Sequence, residues 1–136
     1  MMFVDASAMV AILTREAEAD ALADALDRAE GGITSAVAVF EAALGVCRKR
    51  HASVAEAHAD VGELLAVAGV RIVAIGDREA AVALDAFARY GKGRGHPAQL
   101  NLGDCFAYAV AKNHEAALLF KGNDFIMTDI EVASFP

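Results

Sequence analysis

Short runs of β-branched and large apolar residues alternate along this chain with longer segments of helical periodicity. The candidate strands cover residues 2–4, 33–34, 70–74 and 117–120, and the segments between them carry apolar residues at helical spacing. Parallel strands need a crossover between them, which is usually a helix, so this alternation is typical of a parallel sheet covered by helices. The sequence therefore predicts an α/β fold with a central, mostly parallel sheet.

Cap and stop residues indicate where the helices begin and end. Ser7 and Asp77 are predicted to cap two of the helices, because short polar side chains accept hydrogen bonds from the first-turn amides. Gly69 is predicted to end the fourth helix, since glycine adopts the left-handed conformation there at little cost. Residues 91–97 contain three glycines and a proline and are expected to form an exposed, mobile loop. The helices are expected over residues 8–13, 16–29, 35–50, 53–68 and 78–90, and from residue 101 or 102 to 113.

Length and composition favour one compact unit. The chain has 136 residues, of which 57% are hydrophobic, so we expect a single domain over residues 1–136. The apolar start is too short to span a bilayer and lacks the basic residues of a secretory signal, which predicts a cytoplasmic protein with no membrane contact. Cys47 and Cys105 do not form a CxxC pair and are interpreted as packed thiols.

The charge argues against a broad nucleic-acid surface. Twelve Lys and Arg residues stand against nineteen Asp and Glu, giving a formal net charge of −7. The basic residues are nevertheless bunched, at residues 48–50 and 92–96. A narrow groove that binds nucleic acid therefore stays compatible with the composition.

Four acidic residues lie after predicted strands or on apolar helical faces, where a carboxylate can have a specific role. Asp5 follows the first predicted strand and Asp124 follows the last, and the carboxyl ends of parallel strands meet at one edge of a sheet. Glu41 and Asp104 each lie on a mainly apolar helical face, where burying a carboxylate is costly without a partner. Taken singly, each acid has an ordinary interpretation as a cap, a turn residue or a solvated side chain.

If the four acids converge, they form a site for a hard divalent cation. Carboxylate oxygens suit Mg²⁺ or Mn²⁺, and such ions activate water and neutralise charge on a phosphodiester. The chain has no Walker-type phosphate loop, no HExxH motif and no visible Ser-His-Asp arrangement. The pattern thus favours metal-assisted phosphodiester chemistry over nucleoside triphosphate hydrolysis or proteolysis.

Five segments together resemble the PIN domain of the VapC toxin family. They are FVDASA at residues 3–8, TSA at 34–36 leading to Glu41, LNLGDCFAYA at 100–109, LLFKGNDF at 118–125 and TDI at 128–130. They occur in the family's order and span nearly the whole chain. The resemblance implies a PIN-like three-layer α/β/α fold.

The resemblance also implies roles for the acids. Asp5 and Asp104 match the principal metal ligands, Glu41 matches the third catalytic acid, and Asp124 is the candidate for the fourth. Asn123 stands where the family often has a further acid. This leaves open two alternatives, Asp129 as the fourth acid or a water-mediated contact. The possible supporting residues are Ser7, Asn123, Thr128 and Asp129.

The implied function is that of the toxin of a type II toxin–antitoxin system, neutralised by a VapB-type antitoxin. The implied activity is Mg²⁺-dependent endoribonuclease activity, with Mn²⁺ as a possible substitute. A metal-activated water would attack the RNA phosphodiester in line and leave a 5′-phosphate and a 3′-hydroxyl. Apolar residues in the helices of segment 16–68 could form a homodimer face or an antitoxin groove, with ordinary core packing as the default interpretation. The basic residues that could meet the RNA backbone are Lys92, Arg94, His96 and Lys121.

Two other functions stay open at this point. A non-catalytic PIN-like module could bind RNA or protein without cleaving it, although such a module would not need all four acids. A phosphatase could use Asp5 as its nucleophile, but the usual arrangement has a second Asp two residues later, where this chain has Ser7.

Overall fold

The computed structural model describes residues 1–133 and contains four strands and six helices in that range. All four strands are parallel, and their spatial order is β3-β2-β1-β4. The helices flank the sheet in a three-layer α/β/α arrangement, which confirms the predicted fold class. In chain order the elements are β1 (Met2–Val4), α1 (Ala6–Leu13), α2 (Ala19–Arg28), β2 (Gly32–Ser35), α3 (Ala36–Arg50), α4 (Val54–Ala68), β3 (Val70–Val73), α5 (Asp77–Tyr90), α6 (Leu102–Asn113) and β4 (Ala117–Leu119).

The core lies between the two central strands and the helices packed on them. Phe3 and Leu118 face each other in the register of β1 and β4, and both are fully buried. Helix α6 packs against β1, β2 and β4 and buries Tyr108 completely. Strand β1 is central, β4 is the edge strand next to it, and α6 packs on both. The carboxyl ends of these strands and the start of α6 lie close together.

The structure corrects the predicted starts and caps of α1, α2 and α5, and it begins α3 and α4 one residue after the predicted positions. Helix α1 begins at Ala6, and its cap is Asp5 rather than Ser7, because the Asp5 carboxylate accepts a hydrogen bond from the Ser7 amide. Helix α2 begins at Ala19 and not at residue 16, since Glu16 lies in the irregular connection after α1. Helix α5 begins at Asp77 itself, with Gly76 at the cap position.

Other predicted boundaries are confirmed. Ser35 caps α3 through its hydroxyl, and Gly69 ends α4 with a φ of +70°. In the predicted loop after α5, residues 92–95 are exposed, while the loop's ends are joined by hydrogen bonds between the segments around Gly91 and Leu100. None of the helices described within residues 1–133 has both the length and the apolar character needed to cross a membrane.

Candidate functional site

One pocket of about 460 Å³ collects all four acids that the sequence singled out. Asp5 stands at the end of β1, and Asp124 lies in the turns that follow β4. Glu41 comes from α3, and Asp104 comes from the first turn of α6. The structure therefore brings side chains from four separate elements to the carboxyl edge of the sheet.

Asp5 is held by its own turn into α1. Its backbone amide donates to the Leu119 carbonyl at 3.0 Å, which ties the end of β1 to β4. One carboxylate oxygen, Oδ2, accepts hydrogen bonds from the Ser7 amide at 3.0 Å and the Ser7 hydroxyl at 2.5 Å. Burial raises the pKa of Asp5, while the hydrogen bonds from Ser7 oppose that shift. Ser7 thus supports Asp5 directly, although it does not cap the helix.

Glu41 reaches the pocket because α6 has a glycine where it faces α3. A Cβ atom at Gly103 would collide with the Glu41 carboxylate, so this carboxylate lies directly against the α6 backbone. Burial raises the pKa of Glu41, and the negative charge of Asp5 raises it further. The role of Gly103 was missed by the sequence reasoning. Its signal was a glycine in the first turn of a predicted helix, where no turn requires one.

Asp104 is fixed by a capping box with Asn101. The Asp104 amide donates to Asn101 Oδ1 at 2.9 Å, and Asp104 Oδ2 accepts from the Asn101 amide at 3.1 Å. Burial is the main reason that the pKa of Asp104 is raised to about 7, and the neighbouring charges of Asp5, Asp124 and Glu41 add to it. This carboxyl group is therefore poised to gain or lose a proton near neutral pH.

The possible supporting residues after β4 differ in their placement. Asp124 is exposed at the pocket, whereas Asn123, Thr128 and Asp129 are not among its lining residues. The Thr128 hydroxyl donates to the carbonyl of its own turn. The Asp129 carboxylate accepts from the Tyr108 hydroxyl at 2.5 Å and from Lys112 Nζ at 3.1 Å, near the end of α6. Asp129 thus anchors this segment to α6 at a place away from the four acids.

Basic side chains also line the pocket. Arg48, Lys49 and Lys121 line it, together with Glu16. Of these, only Lys121 was predicted to lie near the substrate; the other predicted contacts, at residues 92, 94 and 96, do not line this pocket. Arg48 and Lys49 belong to the basic run 48–50, so their clustering was visible in the sequence but their position was not.

The side chains fit a hard divalent cation by chemistry and charge. Five acids and three basic groups line the pocket, which leaves a formal excess of two negative charges. All candidate ligands are carboxylates, the donors that Mg²⁺ and Mn²⁺ prefer. Within residues 1–133, no three His, Cys, Asp or Glu side chains are close enough together to hold an ion as they stand. Like charges repel, so carboxylates that share a cation are expected to move closer only when it binds.

Comparisons with known proteins identify the family of this chain. The sequence model of the PIN domain family matches residues 2–131. A VapC ribonuclease of Rhizobium meliloti (strain 1021) is 41% identical over 141 residues, covering 96% of this chain and 99% of the relative. Ribonuclease VapC28 of Mycobacterium tuberculosis is 39% identical over 97% of both chains, and Ribonuclease VapC of Mycolicibacterium smegmatis is 41% identical over 95% and 97% of the two chains. The chain therefore belongs to the PIN domain family, among relatives of the VapC type, as its motifs predicted.

Proposed function

We propose that this chain is an endoribonuclease that uses a divalent cation, Mg²⁺ in the first place, to hydrolyse RNA. The observation that carries the proposal is the convergence of four carboxylates at one edge of the sheet. The relatives at about 40% identity over nearly the full length are named as ribonucleases, which supports RNA as the substrate class.

In this proposal Asp5 and Asp104 hold the cation, while Glu41 and Asp124 complete the site. When bound, the cation supplies an activated water and neutralises charge on the phosphodiester. Ser7 keeps the Asp5 carboxylate oriented through its two hydrogen bonds. Asp104, with a pKa of about 7, gives up its proton to serve as a ligand. Hydrolysis by water leaves a 5′-phosphate and a 3′-hydroxyl.

The proposed biological role is that of a toxin restrained by a VapB-type antitoxin, with residues 1–136 acting as one cytoplasmic domain. The VapC relatives support this role. Phe40, Val54 and Ile72 are more than half exposed on α3, α4 and β3 and line one apolar surface. Apolar surface of this kind supports a protein partner, either the antitoxin or a second copy in a homodimer.

RNA cleavage tests the proposal when it is measured in EDTA and after Mg²⁺ or Mn²⁺ is added back. We expect cleavage only with metal. Asp104→Asn should lower the rate at least about 100-fold, because a lost ligand weakens the several kcal/mol of charge stabilisation that the cation gives. Asp27→Asn, which neutralises an exposed acid on α2, serves as the matched control and should cleave like the wild type.

Two results would contradict the proposal. Full activity in Asp104→Asn would show that the acidic pocket does not take part in RNA cleavage. RNA binding without cleavage, in every metal tested, would favour the non-catalytic module that the sequence left open.

A further inference from the structure

Two lysines converge on one carboxylate beside the four acids. Lys49 Nζ lies 2.8 Å from Glu16 Oε2, and Lys121 Nζ pairs with Glu16 Oε1 on the other side. Lys121 Nζ also lies 3.5 Å from a carboxylate oxygen of Glu18. Glu16 is in the connection between α1 and α2, Lys49 is in the last turn of α3, and Lys121 follows β4. Three distant parts of the chain therefore meet at Glu16.

The two lysine side chains are more exposed to solvent than the Glu16 side chain between them. The Glu16 side chain is 15% exposed, whereas those of Lys49 and Lys121 are 47% and 38% exposed. Hydrogen bonds from Lys121 and then Lys49 lower the pKa of Glu16 to about 2, so it remains an anion. Each ammonium has three N–H donors, and the carboxylate does not use them all. Among residues 1–133, the ion pairs to Glu16 and Glu18 thus leave each ammonium at least one further N–H donor.

Ser7 connects Lys121 to Asp5, one of the four acids. The Lys121 amide donates to Ser7 Oγ at 3.0 Å, and the same hydroxyl donates to Asp5 Oδ2 at 2.5 Å. Lys49 and Lys121 line the same pocket as Asp5 and Asp104. The backbone of Lys121 is therefore tied to Asp5 through Ser7, and both lysines lie in the pocket that contains the four acids.

Stability alone is a weak reason for this arrangement. Surface ion pairs typically contribute only about 0–1 kcal/mol, and Glu16 and Glu18 together balance the charges of Lys49 and Lys121. Arg48 adds another positive charge to the same pocket. In a chain with a net charge of −7, an RNA backbone needs a local positive surface near the reactive centre. Arg48, Lys49 and Lys121, which line the pocket, can supply this positive charge, and ammonium groups bind phosphate as point charges.

We propose that Lys49 and Lys121 bind a phosphate of the RNA backbone next to the acidic cluster, and that Glu16 is a positioning residue that holds both ammonium groups. The proposal rests on the proposed ribonuclease function and adds the residues that receive the substrate. It makes Glu16, which lies outside the family motifs on which the resemblance rests, a residue of the binding site.

Binding of a labelled single-stranded RNA tests this, measured by fluorescence anisotropy over a series of KCl concentrations. An Asp104→Asn background prevents cleavage during the measurement. Removing both lysines by Lys49→Ala and Lys121→Ala should weaken binding and lower the slope of log K against log [salt] by about 0.7, the value for one phosphate contact on a single strand. The control removes two exposed arginines outside the pocket, Arg71→Ala and Arg78→Ala, and should leave the slope within error of the background.

The Glu16→Gln variant distinguishes two effects of Glu16 on RNA binding, the positioning of the lysines and the repulsion of phosphate. Removing a negative charge strengthens RNA binding if Glu16 merely competes with phosphate, but weakens it if Glu16 organises the lysines. We expect weaker binding, and we expect Lys49→Arg, which keeps the charge, to bind within about twofold of the background. Thermal unfolding of each variant confirms that the fold is retained.

The outcomes distinguish this inference from the function on which it rests. A wild type that cleaves RNA, together with an unchanged salt slope in the double lysine variant, overturns this inference alone. Tighter binding by Glu16→Gln overturns the positioning role. A wild type that neither binds nor cleaves RNA overturns both proposals.

Discussion

Metal binding should depend on pH because the pKa of Asp104 is raised. This carboxyl group has a pKa of about 7, owing to burial and to the nearby acids. A divalent cation needs the ionised carboxylate, so binding must release the proton that Asp104 carries below that pH. The experiment therefore compares Mn²⁺ or Mg²⁺ titrations at about pH 6 and at about pH 8, which lie on either side of this pKa.

The size of the effect follows from the pKa. Asp104 is roughly one-tenth ionised at about one unit below its pKa and roughly nine-tenths ionised at about one unit above it. The apparent metal affinity should therefore rise about tenfold over this interval from Asp104 alone. The pKa values of Asp5 and Glu41 are raised as well, so they can only steepen this rise.

Calorimetry in two buffers with different heats of protonation measures both the affinity and the protons released. Near pH 6 we expect about one proton from Asp104 for each ion bound, together with any protons from Asp5 and Glu41, and fewer near pH 8. Asp104→Asn should bind metal more weakly and lose most of the pH dependence. The reasoning is refuted by a wild-type affinity that stays constant over this range, or by the same pH dependence in Asp104→Asn.

Three further predictions follow from individual contacts. Gly103→Ala forces a Cβ against the Glu41 carboxylate and should cost about 1–3 kcal/mol in unfolding free energy as well as most of the cleavage rate, whereas Gly62→Ala, on an open helix surface, should lose neither. Asp129→Ala leaves a buried tyrosine hydroxyl of α6 without its acceptor and should lower the unfolding free energy by about 1–3 kcal/mol, as measured by urea denaturation. The pKa of Glu16 in the folded protein is lowered from 4.5 to about 2, so its ion pairs stabilise the fold above pH 4.5. This contribution should be lost as pH falls towards 2. In Glu16→Gln, the unfolding free energy measured against pH should change less over that range.

The order of strands and helices was predictable because it depends on local periodicity. Each strand was identified from a short apolar run, and Ser35 and Gly69 marked helix ends by local hydrogen bonding and backbone preference. The start of α1 was misplaced because two residues compete for the cap. Asp5 takes it, since its carboxylate reaches the Ser7 amide directly from the end of β1.

The site was predictable in its residues more than in its geometry. Strand-end positions and the family motifs pointed to Asp5 and Asp104, and the structure places both in one pocket. The roles of Glu16 and Gly103 depend on contacts with residues far away in sequence, such as Lys121 and Glu41. Periodicity carries no information on such contacts, which is why Glu16 was assigned to a helix.

Analysis of the RNA ends produced in a single-turnover reaction tests the central claim most directly. If the acidic pocket uses a divalent cation and water, the wild type will yield 5′-phosphate and 3′-hydroxyl ends with Mg²⁺ and no products in EDTA, while Asp104→Asn will yield almost none. Products with 2′,3′-cyclic phosphate ends, formed in EDTA and undiminished in Asp104→Asn, would contradict the account.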